Sequence, residues 1–159
     1  MTLALFALTL GLLALFLRGG GLHNHLVLAA EKIFLQAGYH TWQESPQKLP
    51  DGRLDFVDLL VRQGNCLICV EVETSIRNVP NNVQKASQLG LPLIILVPNR
   101  RVKKAVQTKL GLITSTPGGC PIYILLLSQL EQEVRNCFPL FSPANTQRKN
   151  RKLNQGDPS

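Results

Sequence analysis

Two apolar runs, Leu54 to Arg62 and Cys66 to Thr74, are joined by nothing longer than the turn Arg62-Gln-Gly-Asn65. So short a connection leaves the two runs little choice but to pair as an antiparallel β-hairpin. The hairpin carries acids inside its apolar pattern. Leu59, Leu60 and Val61 follow Asp58, and Leu67, Ile68, Val70 and Val72 surround Glu71 and Glu73. Strand side chains alternate faces, so Glu71 and Glu73 point the same way and Val72 points away. Neighbouring carboxylates on a buried strand repel one another and lose hydration, and they persist mainly when a cation shares the site. Oxygen donors of this kind suit Mg2+ or Mn2+ rather than zinc. Hairpin spacing selects Asp58 over Asp55 as the third acid; Asp55 reads as the end of the preceding loop.

The rest of the pattern surrounds this hairpin with alternating elements. Leu22 to Ala37 has helical spacing and stops at Gly38, after a flexible break at Gly19 to Gly21. Tyr39 to Trp42 reads as a short strand, and Ser45 to Gly52, with Pro46 and Pro50, as a loop. Asn78 to Leu89 is a helix with Pro80 in its first turn, ended by Gly90-Leu-Pro92. Leu93 to Val97 is wholly apolar, as a strand covered on both faces would be. A basic amphipathic helix, Arg100 to Leu110, follows, then a loop at Thr114 to Gly119, a strand at Ile122 to Leu126 and a helix at Ser128 to Cys137. Antiparallel strands first and a β-α-β crossover later predict an α/β fold: a mixed sheet with helices on both faces. A flavodoxin-like sheet would need alternation from the start and a glycine-rich phosphate loop, and the sequence has neither.

Three segments divide the 159 residues. Residues 1–18 are hydrophobic, 19–140 form the domain, and 141–159 read as a disordered basic tail containing Arg148, Lys149, Arg151 and Lys152. A helix over Thr2 to Leu17 would be about 24 Å long, slightly short for a bilayer core of about 30 Å. The segment reads either as an uncleaved membrane anchor, as a buried helix or as a start codon placed too early. As an anchor it would leave the basic domain in the cytoplasm, at the inner face of the membrane. The net charge of +7 favours an anionic partner. Cys66 and Cys69 have C-x-x-C spacing inside one strand, which puts them on opposite faces and favours free thiols over zinc or redox chemistry.

Taken together, residues from about Gly20 to Val97 resemble the PD-(D/E)XK nuclease superfamily, the restriction-endonuclease-like fold. Its pattern is an acid on the second strand, matched by Asp58, and Glu-x-Lys on the third, where Glu71 matches the glutamate and Glu73 stands in the lysine position. Within the superfamily the chain is similar to Holliday-junction-resolvase-like domains with a Gly-Gly and His start, a Glu-Val-Glu-Thr strand and an Asn-rich helix. Here these are Gly20-Gly-Leu-His23, Glu71-Val-Glu-Thr74, and Asn78 to Lys85. The resemblance implies an αβββαβ core, extended here by a further strand and helices. It also implies a glutamate on the first helix, for which Glu31 is the candidate. His23 itself reads as a helix-start residue rather than a ligand.

What the resemblance implies for function is metal-assisted hydrolysis of a DNA phosphodiester. Asp58 and Glu71, with the Val72 carbonyl, would hold Mg2+ or Mn2+, and Glu73 would bind a second ion or act as general base. Glutamate in place of lysine removes an ammonium. Asn78, Asn82 and Lys85 share one helical face, so Lys85 could replace it, with Gln84 one step round and able to reach phosphate. Arg100, Arg101, Lys103 and Lys104 would hold the DNA backbone. The rival expectation is an inactive DNA-binding or assembly module on the same fold. Further expected partners are a second copy of the chain and an ATPase or helicase that delivers the substrate.

Overall fold

The computed structural model describes residues 20–112 and 120–136. The hydrophobic N-terminal segment, the loop at Thr114 to Gly119, Cys137 and the basic tail lie outside the described residues. Five strands form one sheet in the order β1-β2-β3-β4-β5. They are β1 (His40–Lys48), β2 (Leu54–Gln63), β3 (Cys66–Val72), β4 (Leu93–Val97) and β5 (Ile122–Leu126). Four helices accompany them: α1 (Gly20–Gln36), α2 (Val79–Leu89), α3 (Arg100–Gly111) and α4 (Leu127–Arg135). The fold is α/β with a mixed sheet, as the alternation of the sequence predicts. β1, β2 and β3 pair antiparallel, and β3, β4 and β5 pair parallel.

The hairpin closes with Gln63 opposite Cys66, leaving Gly64 and Asn65 as its turn. Gly64 has φ +58, a conformation that a side chain would strain. Alternation then divides the core. Ile68, Val70, Val72, Ile94 and Leu96 face Leu26, Ala30 and Phe34 of α1 and Leu130 and Val134 of α4. Cys69, Leu93, Ile95 and Val97 face Val79, Val83 and Ala86 of α2 and Val106 of α3. β4 is buried at every residue because it is covered on both sides. Glu71 and Glu73 have the parity of Cys69, which turns them toward the α2 face.

Three boundaries differ from the sequence reading. β3 ends at Val72 rather than Thr74, so Glu73 follows the strand, its N–H still bonded to the Leu96 carbonyl. β1 runs nine residues rather than four, because Ser45 to Lys48 pair with Val57 to Leu54 across the hairpin. Most of β1 is exposed, so no apolar alternation marks it. Pro46 is tolerated because β1 is an edge strand with one side of its backbone unpaired. Gly20 and Gly21 form the first turn of α1 rather than a break. Among the described residues, no helix is long and apolar enough to cross a membrane.

Candidate functional site

The acids meet where antiparallel pairing stops. The β2–β3 ladder reaches Leu59 opposite Val70 and goes no further. One step beyond, the Asp58 side chain takes over from the backbone: its Oδ2 accepts the Val72 N–H at 2.8 Å. On the other side of the same strand, β3 stays paired with β4, and the Glu73 N–H donates to the Leu96 carbonyl at 2.9 Å. The end of β3 is thereby fixed from both neighbours, and Glu71 and Glu73 are each only 3% exposed.

Helix α2 supplies what these buried acids need. Val79 and Pro80 open it and Gly90, at φ +67, closes it. Asn82 Nδ2 donates to Glu73 Oε1 at 2.6 Å. One turn on, Lys85 is itself buried, with its ammonium 2.7 Å from Glu71 Oε1 and 3.9 Å from Asp55 Oδ1. Lys85 Nζ also donates to the Phe56 carbonyl. The Lys85 ammonium and the buried Glu71 Oε1 form a close ion pair.

Electrostatics match this crowding. Burial, then the charge of Asp58, pushes the Glu71 carboxyl up to about 8, although Lys85 opposes the shift. The same two causes push Glu73 up to about 7, against the opposite pull of His23 and Lys85. An added cation would relieve both, so the donor chemistry fits a hard divalent ion. The fit is to an open site, however. Among the described residues, no three His, Cys, Asp or Glu side chains are grouped closely enough to enclose an ion. A divalent ion held by Asp58 and Glu71 would have to complete its shell with water and substrate oxygens, as Mg2+ commonly does.

The site opens to solvent through a cleft of about 330 Å3. Asp58, Glu71, Val72, Glu73, Asn78, Asn82 and Lys85 all line it, so the structure brings together seven of the residues the sequence singled out. Thr74, Ser75, Asn81 and Phe56 line it as well, and so does Asp55, which lies within β2 rather than ending a loop. The run Thr74-Ser-Ile-Arg-Asn78 is a polar linker between a strand and a helix, and a run of that kind in the β3–α2 connection was the available signal. The sequence marks His23 as a helix-start residue. It is one, and it also sits in the site, with Nε2 3.0 Å from Asp58 Oδ2 and Nδ1 3.3 Å from Asn24 Oδ1.

Other candidates lie elsewhere. Glu31 does not line the cleft; it accepts hydrogen bonds from Thr41 Oγ1, at 3.0 Å, and from Gln43, tying α1 to β1. Gln84 is exposed and outside the cleft lining. Arg100, Arg101 and Lys104 are at or near the exposed start of α3, just after the β4 end that borders Glu73. Lys103 is turned aside, its ammonium 2.7 Å from Gln129 Oε1, which also accepts the Leu126 N–H at the start of α4.

No protein-family profile matches the chain, and no curated protein matches it. Among solved structures it is similar to the crystal structure of a protein of unknown function, AF1548, with 10% sequence identity and a TM-score of 0.44. That match covers 65% of this chain and 58% of the other, so the chain spans less than two thirds of that neighbour.

Proposed function

We propose that this protein is a metal-dependent DNA nuclease of the PD-(D/E)XK type, hydrolysing a phosphodiester at the cleft beside Asp58, Glu71 and Glu73. The observation that carries the reading is the position of Lys85. The resemblance lacks its lysine on β3, and an ammonium from α2 stands 2.7 Å from the glutamate that should accompany it. A surface lysine would not be drawn into a buried, acid-lined site for packing alone.

Each residue then has a task that its surroundings suit. Asp58 and Glu71, with the Val72 carbonyl, would hold Mg2+ or Mn2+, which when bound acts as a Lewis acid on the phosphate and lowers the pKa of its water. Asp58 is kept in place by the Val72 N–H and His23. Lys85 offsets the negative charge that builds on the phosphate. Glu73, oriented by Asn82 and titrating near neutral pH, accepts the proton of the attacking water. Asn78 faces the cleft mouth and contacts the sugar-phosphate backbone, and Arg100, Arg101 and Lys104 extend the cationic surface beside it.

The second reading is a DNA-binding module without catalysis. It is favoured by Glu73 in the lysine position and by an ammonium already engaged by Glu71 and Phe56. Cleavage of a panel of duplex, single-stranded, forked and four-way-junction DNA, with Mn2+ or with EDTA, separates the two. The nuclease reading expects metal-dependent cutting that Glu71→Ala lowers at least about 100-fold while DNA binding persists. Binding without cutting in any metal, unchanged in Glu71→Ala, would leave the module.

A further inference from the structure

The helices leave part of the cleft's own face of the sheet uncovered, along the edge strand β1. Thr41 and Gln43 both reach Glu31 of α1, so Trp42 between them points to the opposite face. Its cross-strand partner Leu60 agrees, being packed in the α2-side core with Cys69 and Ile95. Leu60 is buried, but Trp42 one strand further out is 42% exposed, so the helical cover stops between β2 and β1. Arg62, two residues from Leu60 on the same face, holds its guanidinium 5.3 Å from the centre of the indole. Among the described residues, no carboxylate lies within ion-pair distance of Arg62. Trp42 stands opposite Leu60, Leu60 opposite Cys69, and Glu71 is two residues along from Cys69. Two strand spacings and two residue rises put the backbones of Trp42 and Glu71 about 12 Å apart. Glu44, at φ +43, breaks the alternation of β1, so that Ser45 shares the face of Trp42, its partner Val57 lying in the same core as Leu60. The face continues to Gln47, opposite Asp55, which lines the cleft.

We propose that Trp42, with Arg62 beside it, binds an unpaired nucleobase of a DNA strand that runs along β1 into the cleft, so that the substrate carries a single-stranded segment beside the cut. The inference rests on the nuclease reading and adds its substrate class. An exposed indole offers a π-face on which any unpaired base can stack, whereas a duplex keeps its base faces inside the helix. A tryptophan left in water forgoes the burial that its area could gain, and a stacked base supplies it. Arg62, free of carboxylates, places a positive charge where the phosphate next to that base would lie. The acids of the cleft repel a phosphate chain until a metal offsets them. A stack that does not depend on charge, about 12 Å away, holds the strand in the meantime.

Trp42 is the single tryptophan of the chain, so its emission reports on this position alone. With the full chain in EDTA, oligothymidylate should quench that emission at the same midpoint that fluorescence anisotropy gives for binding, and blunt duplex should leave it unchanged. Trp42→Ala should lower affinity for oligothymidylate about tenfold, the size of one lost base–aromatic stack, and affinity for duplex less than about twofold. Trp42→Phe, which keeps a ring, should retain most of the single-strand affinity. Cleavage of the same DNAs with Mn2+ is read alongside. Single-strand binding without quenching, quenching by both DNAs alike, or an equal loss on both in Trp42→Ala overturns the platform, and metal-dependent cutting in those samples would still uphold the nuclease. Absence of DNA binding by the wild type overturns the nuclease reading and the platform together.

Discussion

At the scale of single residues, Lys85 is the most informative side chain in the molecule. It is 6% exposed and lies within reach of Glu71, Asp55 and the Phe56 carbonyl. Lys85→Met keeps the stem and removes the charge, leaving Glu71 buried without its counter-ion. Urea denaturation of metal-free protein should show a loss of about 1–3 kcal/mol at pH 8 and a smaller loss at pH 5.5, where Glu71 is protonated in the fold and needs no partner. An equal loss at both pH values would mean that Lys85 contributes packing rather than charge. Asn82 plays the same kind of part for Glu73 through a neutral hydrogen bond. Sequence spacing placed Asn78, Asn82 and Lys85 on one helical face, and that face does line the cleft. Spacing could not reveal His23, which reaches Asp58 across 35 positions of chain.

At the scale of elements, α2 is the piece whose placement the site depends on. It begins directly after the linker that leaves Glu73 and must turn back so that Asn82 and Lys85 face β3. Gly90 ends it in the left-handed region, its N–H bonded to the Ala86 and Ser87 carbonyls. A side chain at φ +67 is strained, so Gly90→Ala should lower stability by about 1–2 kcal/mol, read as a shift in the urea midpoint with an unchanged slope. No shift would mean that the helix end relaxes freely, and its hold on Lys85 would then need another source. The hairpin of β2 and β3 was legible because its turn is short and its strands apolar. β1 was half hidden: an exposed edge strand has no burial pattern, and its extent is set by the length of β2 beside it.

At the scale of the whole molecule, a chain of net charge +7 contains a buried acidic centre. The acids make the metal-free fold pH-dependent, and the sign follows from their raised pKa values. Glu71, near 8, and Glu73, near 7, bind protons in the folded state that an unfolded chain releases near 4.5. The folded state therefore holds more protons between about pH 4.5 and 8, and stability falls as pH rises through that window. The melting temperature of metal-free protein should drop by at least about 4 °C from pH 5.5 to pH 8.5, the equivalent of roughly 1 kcal/mol for a domain of this size. Millimolar Mn2+ should raise it at pH 8.5 and do little at pH 5.5, since the ion and the protons compete for the same oxygens. A metal-free melting temperature that rises with pH would place the acids in a more solvated setting than their burial implies.

The sequence alone determined the order of elements, the mixed pairing of the sheet and the pair of faces that divides its core. These follow from local periodicity, from a two-residue hairpin turn and from Leu93 to Val97 being apolar throughout. It also determined that Glu71 and Glu73 share a face, because strand alternation is local geometry. What only the tertiary structure decided is which groups meet those acids. Asp58 comes to them because ladder pairing stops at Leu59 and its side chain caps the Val72 N–H. Lys85 comes because α2 packs Val79, Val83 and Ala86 against the sheet, and His23 because α1 packs on the other face. Glu31, alike from the sequence, goes to β1 instead. Side-chain partners far apart in the chain are fixed by how helices dock on a sheet, and docking depends on the whole core rather than on any one spacing.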